Sequence, residues 1–252
     1  MSLLKKTTSV ALLALVVAGA QASESVHLDK APLSFDNASL QSGAKTFINY
    51  CLSCHGASSL RYNRLTQIGL TEQQIKDNLM FTADKVGEQM TVAMRRDDAK
   101  KWFGAAPPDL SVIARARASG DGSGADWLYT YLRQFYRDDS RPTGWNNAVF
   151  PGVGMPHVLY GLQGVQEAHF VEKDDGHGNK TSHLEGFEIV EPGTLTKEEY
   201  DTEVANLVSF LTWMGEPARE SRQTIGWAVL AVLSVLAALS WMLKKAFWKD
   251  VH

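Results

Sequence analysis

Apolar and polar positions along the chain fall into helical periods far more often than into alternating ones. Thr196-Lys-Glu-Glu199 has the spacing of a capping box, and Tyr200, Val204, Leu207, Val208, Leu211 and Met214 then keep to one face, which predicts a helix ending near Gly215 and Pro217. Ala125 to Phe135 (ADWLYTYLRQF) sets Trp127, Tyr131 and Phe135 four residues apart and predicts a second helix. Thr71-Glu-Gln-Gln74 is another capping box, followed by Ile75, Leu79 and Val86, with Gly87 weakening the end of the pattern. Few segments alternate as strands do. Ser140 to Gly164 is rich in Gly and Pro, and Glu167 to Asp201 is a polar stretch with ten acids against three lysines. The expectation is one mainly helical domain with long loops.

Two runs are apolar without any period. Lys5 and Lys6, the run Val10 to Ala18 and the closing Ala20-Gln21-Ala22 have the three parts of a secretory signal, cleaved after Ala22. Ile225 to Leu243 (IGWAVLAVLSVLAALSWML) is nineteen residues without a charge. As a helix it extends roughly 28 Å, about the thickness of the hydrocarbon core. Trp227 and Trp241 lie near its ends, and Lys244, Lys245 and Lys249 follow it. The expected layout is a signal at 1–22, an exported domain at 23–221, a membrane span at 225–243 and a cytoplasmic tail at 244–252.

Composition adds exclusions. With 252 residues, 44% hydrophobic and 21% charged, the chain is neither disordered nor fibrous. A formal charge of -3 leaves no cationic field for nucleic acid, and removing the two signal lysines leaves 23 basic against 28 acidic groups. The mean hydropathy of -0.18 is an average over a soluble domain and two apolar ends.

The chemistry sits at Cys51-Leu-Ser-Cys54-His55. This is the C-x-x-C-H attachment pattern of c-type haem, in which both thiols bond the porphyrin edge and the adjacent imidazole binds the iron. Zinc would need two more soft ligands, and the chain has only 2 cysteines. A redox dithiol would sit in a βαβ pattern that is missing here, and a disulfide would leave His55 unexplained. Gly56 is expected to let the backbone approach the porphyrin. One haem follows, covalently attached.

The second axial ligand is less determined. Met155 lies in Phe150-Pro-Gly-Val-Gly-Met-Pro156, whose glycines allow close approach and whose prolines stiffen the backbone, so it is preferred. Met80 remains open, and so does His157, two residues on; Met90 and Met94, one helical turn apart, read as packing, and Met214 as core. His169, His177 and His183 read as solvated. Haem propionates call for a cation, and Arg115 and Arg117 in Ala114-Arg-Ala-Arg117 are available.

With CLSCH, the run Ala106-Pro-Pro-Asp-Leu-Ser111 leading to Arg115-Ala-Arg117, the Gly-Met-Pro loop and one C-terminal span, the chain resembles the cytochrome c1 family over nearly all of its mature length. The resemblance implies a class I cytochrome c-like haem domain, thioethers at Cys51 and Cys54, iron ligands His55 and Met155, a propionate partner at Arg117, and Pro107 and Pro108 along the haem. The resemblance also implies a propionate-contacting aromatic at Trp127. It also implies one-electron transfer from a Rieske iron–sulfur protein to cytochrome c, beside cytochrome b, in the ubiquinol–cytochrome c oxidoreductase complex. The haem domain would then be periplasmic on the inner (plasma) membrane. Such a chain is not an enzyme on its own. The rival readings are a tethered cytochrome c serving a terminal oxidase, and a haem sensor. The resemblance assigns no role to Glu167 to Glu191.

Overall fold

The computed structural model describes residues 27–92, 94–174 and 180–249; the expected signal segment lies outside them. In chain order the elements are α1 (Asn37–Thr46), a π-helical turn (Phe47–Cys51), β1 (Ala57–Arg61), a 3-10 segment (Tyr62–Ile68), α2 (Glu72–Asn78), β2 (Gln89–Met90), α3 (Arg96–Phe103) and α4 (Ile113–Ala116). There follow α5 (Gly124–Arg133), β3 (Phe135–Arg137), β4 (Trp145–Asn147), α6 (Tyr160–Gln163), β5 (Gly164–Asp174), β6 (Lys180–Pro192), α7 (Lys197–Gly215) and α8 (Arg219–Phe247). The strands form three separate antiparallel pairs, β1–β2, β3–β4 and β5–β6, among the described residues.

The most regular sequence pattern gives the central helix. Thr196 caps α7 with its side chain and Glu199 returns the bond, and Tyr200, Val204, Leu207, Val208, Leu211 and Met214 are all buried. α1 lies along α7, with Phe47 at its end meeting the Phe210 ring at 5.7 Å. Thr46 and Ser42 both bond the Glu203 carboxylate, fastening the pair through polar groups as well.

α5 starts one residue before the expected Ala125 and ends earlier than expected, at Arg133. Phe135 belongs instead to β3, paired with Asn147, so the ladder to β4 takes over the backbone that would have continued the helix. Its N-terminus carries a capping box that sequence reasoning passed over, Ser123 with Asp126. Asp126 also accepts the Ala31 amide at 2.8 Å, tying the start of the described chain to α5. Burial opposes ionisation here, but bonds from the Ser123 hydroxyl and the Ala31 and Ser123 amides outweigh it and hold the carboxyl below its ordinary 3.8. Asp126→Ala should therefore cost about 1–3 kcal/mol, the loss of a cap plus one long-range bond. Because the folded state lowers this pKa, the contribution is fully present above the ordinary value and is lost as pH falls from there through the lowered folded-state value. Urea unfolding at pH 7 and pH 3 should show the deficit shrinking at the acid end.

α2 stops at Asn78 and does not reach Val86. The Asn63 and Tyr62 amides bond the Val86 and Glu88 carbonyls at 2.6 and 3.1 Å, and the Tyr62 hydroxyl meets Thr82 at 2.9 Å, drawing that segment out of helical geometry. Met90 accordingly lies on a strand, not one helical turn from Met94.

The largest departure is the polar stretch, expected as loop, which forms the long hairpin β5–β6. Its register slips between Val165 and Gln166 and again between His169 and Phe170. Each slip reverses which face the following side chains take, which erases the period-2 signature in the sequence. Tyr136 of β3 packs against Phe170 and Phe187, seating the hairpin on the domain. His169 is exposed and lies 3.1 Å from Glu188, His183 is half-buried, and His177 lies outside the described residues.

At the C-terminus, α8 exceeds the expected 225–243 at both ends. Ser221–Phe247 is the one described helix long and apolar enough to cross a membrane, with a mean hydropathy of 2.1. Its apolar side chains face outward rather than into the core. The architecture is a mainly α domain with long loops and one C-terminal apolar helix.

Candidate functional site

A cleft of about 330 Å³ opens between the start of the chain's core and the loops that follow α3 and β4. Cys51, Cys54 and His55 line one part of it, Pro107 and Pro108 another, and Met155 and Arg117 also border it. Trp127, Tyr131 and Leu132 of α5 and Leu207 and Leu211 of α7 complete mostly apolar walls. Residues a hundred positions apart in sequence thus meet in one pocket.

The attachment motif sits where the π-helical turn ends, and the Cys54 and His55 amides both bond the Cys51 carbonyl, at 3.0 and 2.8 Å. Both thiols are free, Cys51 buried and Cys54 half-buried. Burial, helped by the neighbouring Cys54, pushes the Cys51 thiol up to about 12. Redox and nucleophilic cysteines have depressed values, the opposite of the direction at Cys51.

The Nδ1–H of His55 donates to the Pro108 carbonyl at 2.8 Å, a group that can only accept. The proton is thereby fixed on Nδ1 and Nε2 keeps its lone pair, as a metal-binding imidazole requires. Burial lowers the His55 pKa against the pull of the Pro108 bond and the Asp109 charge.

The proline loop is tied to the motif by bonds that sequence reasoning did not anticipate. Asp109 accepts the Ser58 and Ser111 amides, each at 2.9 Å, Ser111 Oγ accepts the Ser59 amide at 2.9 Å, and the Leu110 amide reaches the Gly56 carbonyl at 2.8 Å. Gly56 itself does not line the cleft, contrary to expectation. A Cβ there would meet Asp109 Oδ2 at 3.2 Å, so the glycine makes room for this carboxylate.

Met155 is delivered by a loop hung on two asparagines. Asn147 Oδ1 accepts the Val149 and Phe150 amides at 2.9 and 3.1 Å, and Asn146 Oδ1 accepts the Gly152 amide at 2.8 Å. Asn147 Nδ2 in turn donates to the Tyr131 carbonyl at 2.8 Å, and the Tyr131 hydroxyl donates to Met155 Sδ at 3.4 Å. Burial raises the Tyr131 phenol, so it keeps its proton.

The competing ligand candidates lie elsewhere. Met90 is fully buried in the core, Met80 packs against it, Met94 borders a separate smaller cavity, and none of the three lines the cleft. His157 is not a surface residue but a buried one, stacked on Phe135 at 4.9 Å and edge-on to Trp145 at 5.1 Å, outside the cleft lining. Its burial drives the pKa down to about 4.

Of the two candidate arginines, Arg115 is exposed. Arg117 borders the cleft, its guanidinium 4.4 Å from the centre of the Trp127 ring and 5.7 Å from that of Phe150. Two unpaired thiols, an imidazole with Nδ1 tied down, a thioether and apolar walls make a donor set that fits a covalently attached haem.

Comparison with known proteins places the whole chain beside one family. The chain matches the model of the Cytochrome C1 family over residues 27–185 and 188–251. It is 48% identical over 228 residues to the cytochrome c1 of Allochromatium vinosum, covering 90% of each chain. It is 47% identical over 253 residues to a Nitrosomonas europaea protein named ammonia monooxygenase gamma subunit, covering 100% of both. A Bradyrhizobium diazoefficiens cytochrome b/c1 is 28% identical over 261 residues, 86% of this chain and 34% of that protein.

Proposed function

The chain belongs to the cytochrome c1 family, and from that membership we propose that its haem domain accepts one electron from a Rieske iron–sulfur protein and passes it to a cytochrome c. Proteins of this family carry one covalently bound haem c and form the electron-transfer subunit of the bc1 complex, an oxidoreductase that also contains cytochrome b. The chain is accordingly a membrane-anchored electron-transport protein of the respiratory chain.

The observation that carries the proposal is the convergence of His55 and Met155 on one apolar cleft beside both cysteines. When bound, the haem supplies one-electron redox chemistry. In this reading Cys51 and Cys54 would hold it through thioethers, His55 and Met155 would supply the iron ligands, Pro107 and Pro108 would pack along it, and Arg117 with Trp127 would be available to its propionates. His55 keeps its proton on Nδ1 against Pro108, and Met155 has none to give, so the electron moves without a general acid or base. The apolar walls exclude water, and a fixed donor set limits reorganisation between oxidation states.

The proposed topology puts residues 23–221 in the periplasm after removal of 1–22, the span 225–243 in the inner membrane, and 244–252 in the cytoplasm. The acidic excess of the exported part would speed the encounter with a basic acceptor more than it would tighten the complex.

Mild detergent extraction of the tagged chain should bring down a b-type cytochrome and an iron–sulfur subunit, and flash reduction should pass through the iron–sulfur centre before the haem. Recovery with a terminal oxidase alone would replace this reading by the tethered-donor one. Rapid carbonyl formation by the intact reduced protein would replace it by a haem sensor.

A further inference from the structure

One polar side chain in the cleft has no part in attachment, ligation or propionate binding. Tyr131 projects from the buried side of α5, and its hydroxyl donates a hydrogen bond to Met155 Sδ at 3.4 Å. Its ring cannot turn away. It stacks on Trp127 at 4.6 Å with the planes 14° apart, and meets the Phe135 ring edge-on at 5.0 Å on the other side. Its backbone carbonyl holds Asn147, the residue from which the Met155 loop hangs. The same residue therefore fixes the methionine loop through the main chain and the sulfur through the side chain.

We propose that Tyr131 is a positioning residue for electron transfer, which occupies one lone pair of the Met155 thioether, leaves the other directed at the iron and raises the reduction potential. The inference rests on Met155 being the iron ligand. A thioether sulfur has two lone pairs, and a hydrogen bond to one draws electron density from the atom as a whole. A poorer donor disfavours the ferric state more than the ferrous, because the higher charge demands more from its ligands. The hydrogen bond thus favours the reduced form, and losing it favours the oxidised form.

Tyr131→Phe removes the O–H and keeps the ring, so both ring contacts survive. In the full-length protein within its complex, the variant should hold as much covalent haem as the unsubstituted protein, show a lower midpoint potential, and move the near-infrared band of sulfur-ligated ferric haem. Full haem content with an unmoved potential and an unmoved band would overturn the proposal, leaving Tyr131 a packing residue. If the unsubstituted protein lacks that band, the Met155 assignment falls and this inference falls with it, so the two failures are distinguishable. Should the variant not accumulate, NMR of the reduced unsubstituted protein decides. The Met155 methyl resonance should shift between H2O and D2O as the bridging proton is exchanged, and an identical position in both solvents would overturn the proposal.

Discussion

Replacing Met155 with leucine is expected to lower the midpoint potential of the haem by a few hundred millivolts, a large part of the roughly 0.8 V over which axial ligands move haem potentials. Leucine has nearly the volume of methionine and suits the apolar surroundings of Val153 and Leu211 that also line the cleft. The fold and the thioethers should therefore persist while the sulfur is lost. A one-electron couple changes its equilibrium constant tenfold per 59 mV, so a fall of roughly 300 mV would shift the balance with the iron–sulfur donor by about 10⁵ against the haem. Electrons would stay with the donor, and quinol oxidation by the assembled complex would nearly stop. The vacated coordination position should also let the reduced haem take up carbon monoxide. Redox titration with an optical spectrum in the near infrared reads all of this at once. A variant that keeps its potential and its sulfur band would remove Met155 from the iron. The effect should far exceed that of Tyr131→Phe, since one change deletes the donor atom and the other only tunes it.

The parts of the site legible in the sequence are those whose chemistry is local. Two thiols and an imidazole within five residues announce the haem without any knowledge of the fold. Met155 could be preferred over Met80 because its loop has glycines and prolines, but a choice between them needed the cleft, which Met80 does not line. Nothing in the sequence pointed to Asp109, Asn146, Asn147 or Tyr131 as supports. Asp109 lies 51 positions from the Ser58 amide it holds, and Tyr131 lies 24 positions from the sulfur. Such pairings exist only once the chain has folded. The aromatic spacing of Trp127, Tyr131 and Phe135 signals a shared direction, which by itself predicts only one face of a helix.

The same distinction governs the fold. α7 was legible because its buried face is apolar at every turn and its first turn is capped. α1 was not, since its buried positions Leu40, Gly43, Ala44 and Thr46 hardly read as an apolar stripe. Gly43 has no side chain because the α7 backbone lies against it, and Thr46 is polar because Glu203 is opposite. The β5–β6 hairpin was illegible for its two register slips. The attachment motif therefore reads plainly from sequence, while the helix that delivers it does not.

That helix yields the second large effect. Gly43→Ala should destabilise the protein by at least about 3 kcal/mol, the upper end of overpacking costs. A Cβ at this position would lie 2.1 Å from the Asn206 carbonyl oxygen, 2.7 Å from its carbon and 2.7 Å from Phe210 Cβ. Main-chain atoms of α7 cannot rotate aside as a side-chain tip can, so α1 must withdraw as a body. Withdrawal pulls Phe47 from Phe210 and uncovers Leu40 and Ala44. It also moves Cys51, which follows α1 after a single π-helical turn, relative to Leu207 and Leu211 on the opposite side of the cleft. For a domain of this size the melting temperature should fall by roughly 6–12 °C, and less of the purified chain should carry covalent haem, because attachment needs the thiols correctly placed. Gly87→Ala is the control: nothing lies within 4 Å of its added methyl, and the change should stay within about 0.5 kcal/mol. Thermal unfolding followed by circular dichroism, with haem content from the pyridine spectrum, compares the two. Equal melting temperatures for both variants would mean that α1 and α7 are not in backbone contact at Gly43, and that the cleft wall does not depend on their close approach.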